Sequence, residues 1–353
     1  MVFIGVDLSV PEEKKKTASP LKKISKFLLS FSRKAGFLTV SLFLRWPIWL
    51  SLWLLKIVGL KFFSYLFLVY PGTDADLDGY CPRWLAKSWI FSKKPTVGGI
   101  ISKGSGGRGL TLVVPNTVQE FHKNRDVCEK TMKRLEWIKN LAGAKSIAIA
   151  GQVPGMLVRH GIDIDQPFVR GNKGTVFCIV ETIERVMRKK SLITGKFQIA
   201  LLGVGYVGRV LMNYLETKGH QVIGIDISIN RQGVKLQSEA PEVLRHADMI
   251  VVLTPKGSDF MPYSPFIKRG SVVIDDTHPK IRQRLKGVEF YKVAVGMDGV
   301  NFYPRLPGYR SDWIPGCAVE AIVSAATTSF NGHPQRIFNQ KARDLGFFAH
   351  LVS

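Results

Sequence analysis

The stretch from Phe197 to Asp226 constrains the fold of this chain more than any other. It reads FQIALLGVGYVGRVLMNYLETKGHQVIGID, which places an apolar run, a G-x-G-x-x-G motif, a segment of helical periodicity and a second apolar run in succession. This is the order of a β-strand, a glycine turn, an α-helix and a parallel strand that ends in an acidic residue. The stretch therefore predicts a Rossmann-type parallel sheet that binds a dinucleotide.

The residues of the glycine turn have distinct expected roles. Gly203 permits the tight turn, Gly205 lets the backbone approach a pyrophosphate, and Gly208 lets the helix pack close to the strand. Tyr206 and Val207 stand in the first helical turn, where free N–H groups and the positive dipole end would face the phosphates. These five residues form the predicted pyrophosphate site. The alternative is a glycine-rich turn in an α/β domain that binds nothing.

Three further residues are predicted near the nucleotide. An acid at the end of the second strand, here Asp226, usually holds the ribose 2′-hydroxyl of NAD and repels the 2′-phosphate of NADP. Arg231 follows closely and could offset that charge, so both NADH and NADPH remain candidate cofactors. Thr254 comes after the apolar run 249–253, and the carboxyl ends of parallel strands line the ligand crevice.

A strand end and a helix start supply the catalytic candidates. Asp275 and His278 follow the apolar run 271–274, so both are cleft candidates by position, although each could equally be a turn residue. Cys317 falls in the first turn of a predicted helix, just after Pro315, where the positive helix end favours the thiolate. The other interpretation of Cys317 is a small buried hydrophobe, as most free cysteines are.

Strands also alternate with helices before the glycine motif. Apolar runs at 110–114 and 146–150 read as strands, and 118–141 and 175–187 read as helices, which predicts a second α/β domain. The run GSGGRG at 104–109 lacks the G-K-[S/T] ending of a phosphate loop, and we predict a flexible loop there. The predicted division is an N-terminal segment, an α/β substrate domain, the Rossmann domain and C-terminal helices that carry Cys317, with bounds 1–70, 71–190, 191–313 and 314–353.

The first 70 residues are both basic and apolar, with 11 Lys/Arg against 3 acidic residues. Residues 37–70 are rich in tryptophan, but Arg45, Lys56 and Lys61 interrupt the ~20 apolar residues that a membrane span needs. The pattern predicts a helical hairpin that dips into one leaflet or lies in the membrane interface, preceded by a basic amphipathic stretch at 21–34. A full membrane span and a soluble apolar helical layer are the alternatives.

The net charge indicates which binding partners to expect, and the cysteines indicate the cellular compartment. The net charge of +23 favours anionic partners, such as lipid headgroups or an acidic carrier protein. No nucleic-acid-binding motif occurs, so nucleic acid is not a predicted partner. The four cysteines form no C-x-x-C pair, which argues against a metal site and a disulfide framework and suits a reducing compartment. We therefore predict a protein on the cytoplasmic face of a membrane.

Five segments, in order, resemble the aldehyde-forming long-chain acyl-ACP reductases. They fall within residues 145–350, and the first and last carry the family's G-N-x-x-T and A-C-x-x-E-A helices. The segments are GNKGTVFCIVETIERVM (171–187), the glycine motif (203–208), HADMIVVLTPKG (246–257), VVIDDTHPK (272–280) and GCAVEAIVSAATTSFNG (316–332).

The resemblance implies an NADPH-dependent enzyme that reduces a long-chain acyl thioester of acyl carrier protein or coenzyme A to a fatty aldehyde. By it, Cys317 takes the position of the family's acylated cysteine, and Glu320 and Ala321 match beside it. The chain departs from the family at residues 1–70, which have no counterpart, and at Asp226, which does not suit NADPH. Three functions stay open: an acyl-thioester reductase, a Rossmann dehydrogenase for a small polar substrate, and a non-catalytic, membrane-tethered NAD sensor.

Overall fold

In the part of the chain that the structure describes, β-strands form two six-stranded sheets and one two-stranded sheet. The computed structural model describes residues 31, 34–72, 77–78, 81–86, 94–105, 107–192, 197–228, 232–306, 308–327 and 334–353. The strands are β1 (Tyr65–Val69), β2 (Thr96–Gly104), β3 (Gly107–Val113), β4 (Ser146–Ile149), β5 (Phe168–Val169), β6 (Gln198–Leu202), β7 (Gln221–Asp226), β8 (Val234–Leu236), β9 (Met249–Val252), β10 (Val272–Asp275), β11 (Glu289–Lys292), β12 (Val295–Met297), β13 (Phe302–Tyr303) and β14 (Phe347–Ala349).

Helices flank both larger sheets. Two further segments, Gln237–Glu239 and Gly257–Phe266, are 3-10 helices. The α-helices are α1 (Lys34–Ile57), α2 (Arg83–Ala86), α3 (Val118–Lys123), α4 (Arg125–Ala142), α5 (Val153–Arg159), α6 (Asn172–Lys190), α7 (Tyr206–Thr217), α8 (Ala240–His246), α9 (Gly316–Ala326) and α10 (Gln335–Asp344). Residues Val40–Leu44 within α1 are π-helical. The basic stretch predicted to be amphipathic, residues 21–34, lies outside the described residues except for 31 and 34.

The second sheet has the strand order β11-β10-β9-β6-β7-β8, with every pair parallel. This is the doubly wound Rossmann order, and the order reverses between β6 and β9. The predicted strand, glycine turn, helix and second strand of residues 197–226 are confirmed as β6, α7 and β7.

The first sheet has the order β13-β2-β3-β1-β4-β5. Its centre is parallel, because β1 pairs in parallel with both β3 and β4. Its far edge is antiparallel, where β2 pairs with β3 and β13 pairs with β2. A second α/β domain beside the Rossmann domain is therefore confirmed.

Strand β1 corrects the predicted end of the N-terminal segment. Residues Tyr65–Val69 lie at the centre of the first sheet, and all but Val69 are buried. An apolar run without polar alternation suits a buried parallel strand as well as a helix, so periodicity alone does not separate it from the apolar helix before it. The segment 1–70 is thus not separable at residue 70, since removing it would remove the central strand.

The predicted flexible loop at 104–109 is instead the turn end of a β-hairpin, in which Gly104 pairs with Gly107. Glycine has a low preference for strands, but close neighbours leave no room for side chains here. A Cβ on Gly109 would lie 2.3 Å from the Tyr65 ring, and one on Gly99 would lie 2.3 Å from the Tyr303 carbonyl oxygen. The glycines of this hairpin serve packing.

Alternate side chains of β1 enter two different cores. Leu66 and Leu68 pack with α1, α3, α4 and α5 on one face. Tyr65 and Phe67 pack with α6 and α9 on the other. The predicted C-terminal unit, residues 314–353, is therefore not separate, because α9 completes the core of the first domain. Helix α6 also contacts α7 of the Rossmann domain, so it stands between the two sheets.

Candidate active site

The glycine turn has the geometry that a bound pyrophosphate needs. Gly203 adopts a φ of +99°, which only glycine takes readily. A Cβ on Gly208 would lie 2.3 Å from the Gly203 carbonyl oxygen, so α7 packs directly on the turn. Gly205 precedes α7 without a side-chain cap, and a Cβ there would meet nothing within 4 Å. The helix start is open to a ligand, and these residues fit a dinucleotide.

Tyr206 and Val207 contribute differently from one another. Tyr206 begins α7 and is half-buried. Val207 packs against the large core that β6 and α6 share, so its side chain is structural and only its backbone faces the turn. The predicted site therefore consists of the glycine backbone and the first turn of α7.

Asp226 is tied to the same turn. Its Oδ2 accepts a hydrogen bond from the Val204 N–H at 2.6 Å, and its Oδ1 accepts one from the Ile227 N–H at 2.6 Å. Burial, and then the charges of Asp226 and Asp259, raise the pKa of Tyr263. Arg231, predicted to offset Asp226, lies outside the described residues.

Thr254 follows β9 and is half-buried at the carboxyl edge of the second sheet, as predicted. Its hydroxyl donates to the Lys256 carbonyl oxygen at 3.2 Å. Asp275, the other strand-end acid, has a structural role. It is buried and accepts hydrogen bonds from the Thr277 N–H at 2.8 Å and the Ile281 N–H at 2.9 Å, so it holds the loop after β10.

Cys317 lies in the first turn of α9, at the carboxyl edge of the first sheet. Gly171, with a φ of +77°, packs against it so closely that a Cβ there would lie 2.7 Å from the Cys317 Cβ. Burial raises the pKa of the Cys317 thiol to about 12, although the N–H groups of Gly151 and Ala318 oppose the rise. Desolvation therefore opposes the thiolate that the helix end was expected to favour.

Glu320 fixes the position of that turn. Its buried carboxylate accepts a hydrogen bond from the Gly174 N–H at 3.1 Å, across the crossing of α6 and α9. A Cβ on Gly174 would lie 2.0 Å from the Gly316 carbonyl oxygen, so the two helix starts touch through their backbones. Burial raises the pKa of Glu320, and the N–H groups of Gly174 and Gly171 oppose it.

Tyr70 closes the other side of Cys317. It follows β1, and its hydroxyl accepts a hydrogen bond from the Gln152 N–H at 2.8 Å. Burial raises the pKa of Tyr70 to about 12, and the nearby Cys317 contributes to the rise. A Cβ on Gly151 would lie 2.5 Å from the same hydroxyl, so Tyr70, Gly151 and Cys317 form one cluster.

A group of ionisable side chains joins the two sheets across the cleft. Burial raises the pKa of Tyr309, and the nearby Asp276, Cys317 and Cys178 raise it further. Asp276 follows β10 at the carboxyl edge of the second sheet, and burial raises its pKa to about 6. Tyr309 thus lies near Asp276 of the second sheet and near Cys317 of α9.

His278 stands at the rim of this group. Its exposed ring stacks on Tyr309, with ring centroids 5.4 Å apart. The structure thus brings both predicted catalytic residues to the same cleft, with Tyr309 between them. Sequence reasoning missed Tyr309, which follows no strand or motif, and passed over Asp276, although its place after an apolar run was a usable signal. The described residues contain no cluster of three His, Cys, Asp or Glu side chains that could hold a metal ion.

These features define a dinucleotide-binding α/β domain that faces a second α/β domain across a cleft. No family model matches the chain, and no curated protein matches it. Several solved structures of dehydrogenases show similarity at low identity. L-tryptophan dehydrogenase from Nostoc punctiforme is 12% identical over 80% of this chain and 80% of that chain, with a TM-score of 0.41.

Two further structures align over comparable lengths. A glutamate dehydrogenase from Thermus thermophilus is 13% identical over 81% of this chain and 74% of that chain, with a TM-score of 0.40. The methylenetetrahydrofolate dehydrogenase-cyclohydrolase of Trypanosoma brucei, solved with NADP, is 12% identical over 86% and 95%, with a TM-score of 0.37.

Proposed function

We propose that this chain is an NAD(P)H-dependent oxidoreductase, and that its substrate is a long-chain acyl thioester. The observation that supports it most is the position of Cys317. Its sulfur faces the N–H groups of Gly151 and Ala318 at the carboxyl edge of one sheet, and the glycine turn of the nucleotide site stands on the carboxyl edge of the other. A nucleophile and a hydride source would meet in that cleft.

The first step is acyl transfer. The Cys317 sulfur forms a bond to the thioester carbonyl carbon, the carrier's C–S bond breaks, and the thiol proton ends on the carrier's sulfur. The N–H groups of Gly151 and Ala318 would stabilise the negative charge that develops on Cys317. A thiol with a raised pKa needs a proton acceptor, and Asp276, whose pKa is about 6, is ionised near neutrality.

The second step is reduction. NAD(P)H, when bound, supplies the hydride that reduces the acyl carbon. The C–S bond to Cys317 then breaks, the aldehyde leaves, and one proton returns to the sulfur from the cleft or from solvent. Glu320 and Tyr70 hold the Cys317 turn in place during both steps.

The placement of helix α1 suits a long acyl chain. Phe37, Leu38 and Leu42 of its first turns pack against Val69 and Val113, which end β1 and β3 at their carboxyl edge. Tyr70 follows Val69 directly and belongs to the Cys317 cluster. An apolar helix thus begins beside the candidate site, where it could guide an acyl chain.

A second candidate function is a dehydrogenase for a small polar substrate, with Asp276 as the acid–base group and Cys317 structural. The raised pKa of the Cys317 thiol, due to burial, favours this alternative. A chain that only senses NAD(P)H would bind the nucleotide and turn nothing over.

Intact-mass analysis after incubation with a long-chain acyl-CoA, without NAD(P)H, separates these functions. We expect one hydroxylamine-labile acyl group on Cys317, none on Cys317→Ser, and unchanged acylation of Cys128→Ser, which alters a buried cysteine away from the cleft. Cys317→Ser should bind NAD(P)H yet lose aldehyde formation by about a thousandfold or more, since a serine hydroxyl is a far weaker nucleophile. Wild-type aldehyde production by Cys317→Ser would eliminate the acyl-cysteine mechanism.

A further inference from the structure

Helix α1 is apolar on two opposite faces. Trp49 and Leu52 are buried against α4 in the core of the first domain. The opposite face exposes a row of large apolar side chains at helical spacing, which we call the α1 strip. Its members and exposed fractions are Phe43 (73%), Trp46 (68%), Leu50 (57%), Trp53 (48%), Leu54 (51%) and Ile57 (61%).

A basic groove borders the α1 strip. It encloses about 210 Å³ between α1, α4 and the segment before β2, and Arg45, Lys94 and Arg134 line it. No acidic residue lines it among the residues that the structure describes. Trp49 and Trp137 form its floor and rim, with ring centroids 6.1 Å apart at a near-perpendicular angle.

Two guanidinium groups, those of Arg45 and Arg134, line this groove. Burial and then the charge of Arg134 lower the pKa of Arg45, so the like charges are close enough to oppose one another. An anion in the groove would be attracted to both guanidinium charges. Arginine also matches the geometry of a phosphate oxygen pair better than any other side chain does.

We propose that α1 lies in the headgroup layer of a bilayer, with the α1 strip turned to the acyl chains and the phosphate of an anionic phospholipid in the basic groove. The exposed indoles of Trp46 and Trp137 suit this level, because tryptophan concentrates at membrane interfaces. The charge of the whole chain, +23, attracts the same surface. This proposal is independent of the chemistry at Cys317.

The packing of α1 favours lying on the membrane over crossing it. Among the described residues, α1 is the one helix long and apolar enough to span a bilayer by length and composition. Its Trp49 and Leu52, however, are part of the first domain's core, beside the highly charged helix α4. A spanning orientation would pull them from that core or bring α4 into the bilayer, and charges there cost several kcal/mol.

Vesicle flotation with the full chain tests the groove. The probes are phosphatidylcholine vesicles with and without phosphatidylglycerol. We expect Arg134→Gln to weaken binding to the anionic vesicles about tenfold or more, because the groove adds a direct phosphate contact to the factor of about five for one basic group at such a surface. Lys133→Gln removes a neighbouring exposed cation of the same helix outside the groove, and should weaken binding by no more than that factor of about five. Equal losses in the two variants would overturn the groove.

Leu50→Ser tests the α1 strip, because it changes an exposed side chain and should leave the fold intact. It should weaken binding to both kinds of vesicle. Unchanged binding would overturn the α1 strip as a membrane contact. A dimer in solution that Leu50→Ser dissociates without altering flotation would show that the strip covers a second copy of the chain. Inorganic phosphate at millimolar concentration should not displace the protein from vesicles. Displacement would reassign the groove to soluble anions and overturn the membrane proposal.

Discussion

The two domains differ in how far apart along the chain their essential residues lie. In the Rossmann domain, the glycine turn, α7 and Asp226 all fall within thirty consecutive residues, Phe197 to Asp226. The first domain takes β1 from one end of the chain, and β13 and α9 from the other. The nucleotide half of the site is therefore readable locally, whereas the Cys317 half exists only after distant segments meet.

The largest expected effect concerns the nucleotide half of the site, which lies within one short stretch of the sequence. Gly205→Asp should weaken nucleotide binding a hundredfold or more, because the carboxylate would meet the pyrophosphate at the open start of α7. Isothermal titration with NADH and NADPH measures this. Gly205→Asn has the same size without the charge and should retain more affinity than Gly205→Asp. Equal affinity of the wild type and a folded Gly205→Asp would place the pyrophosphate elsewhere.

The next effect concerns the Cys317 half of the site, which distant segments of the chain form together. Gly174→Ala should lower the free energy of unfolding by about 2–3 kcal/mol, because its Cβ would overlap the Gly316 carbonyl oxygen and force α6 and α9 apart. Urea denaturation measures the change. Gly155→Ala is the matched control, since a Cβ there meets nothing within 4 Å, and it should be neutral or stabilise α5 slightly. If both variants unfold alike, the contact between the helix starts is not tight.

A smaller effect is expected on the choice between NADH and NADPH, again in the nucleotide half of the site. Asp226→Ser should shift the ratio of NADPH to NADH affinity about tenfold toward NADPH, because it removes the charge that opposes a 2′-phosphate. Asp226→Asn removes the charge but keeps an oxygen that can accept the hydrogen bond from the Val204 N–H. This variant therefore separates the effect of the charge from the effect of the hydrogen bond. Competition titration gives the ratio, and a ratio that stays constant in both variants would show that Asp226 does not face the ribose.

The smallest expected effect lies at the meeting point of the two halves. Burial raises the pKa of Asp276 from 3.8 to about 6, so the folded protein binds that proton more tightly than the unfolded chain. This stabilisation is complete below the unfolded pKa and is lost as pH rises through about 6. Asp276→Asn should therefore be more stable than the wild type at neutral pH, by about 1–2 kcal/mol since Asp276 keeps some solvent contact.

Urea denaturation across that range measures the difference, which should shrink as pH falls below the unfolded pKa. Asp163→Asn, which changes an exposed carboxylate, controls for the loss of one charge. A gain that is the same at every pH would mean that Asp276 titrates normally.

The same contrast explains which predictions held. The strand Met249–Val252 and the turn Gly203–Gly208 follow from neighbouring residues, and the structure has them where expected. Strand β1 was missed because an apolar run carries no period that separates a buried strand from a helix. The hairpin of β2 and β3 was missed because its glycines accommodate Tyr65 and Tyr303, which lie far away in sequence.

The candidate site divides in the same way. Sequence position put Cys317 at a helix start and His278 after a strand, and both border one cleft. The acidity expected of Cys317 rests on a helix end, which is a local feature, whereas the burial that opposes it comes from Gly171 and the rest of the first domain. Tyr309 becomes part of the site only through tertiary packing.

Because the chain returns to the first sheet after the Rossmann domain, it also sets the order in which the two domains can fold during synthesis on the ribosome. One face of that sheet needs α9 to cover Tyr65 and Phe67, and α9 is translated roughly 200 residues after β3. At about 5–20 residues per second, the gap lasts on the order of 10–40 s. The Rossmann domain emerges whole within that interval. The domain nearest the amino terminus therefore finishes folding last, and its apolar sheet face must stay protected from aggregation until then.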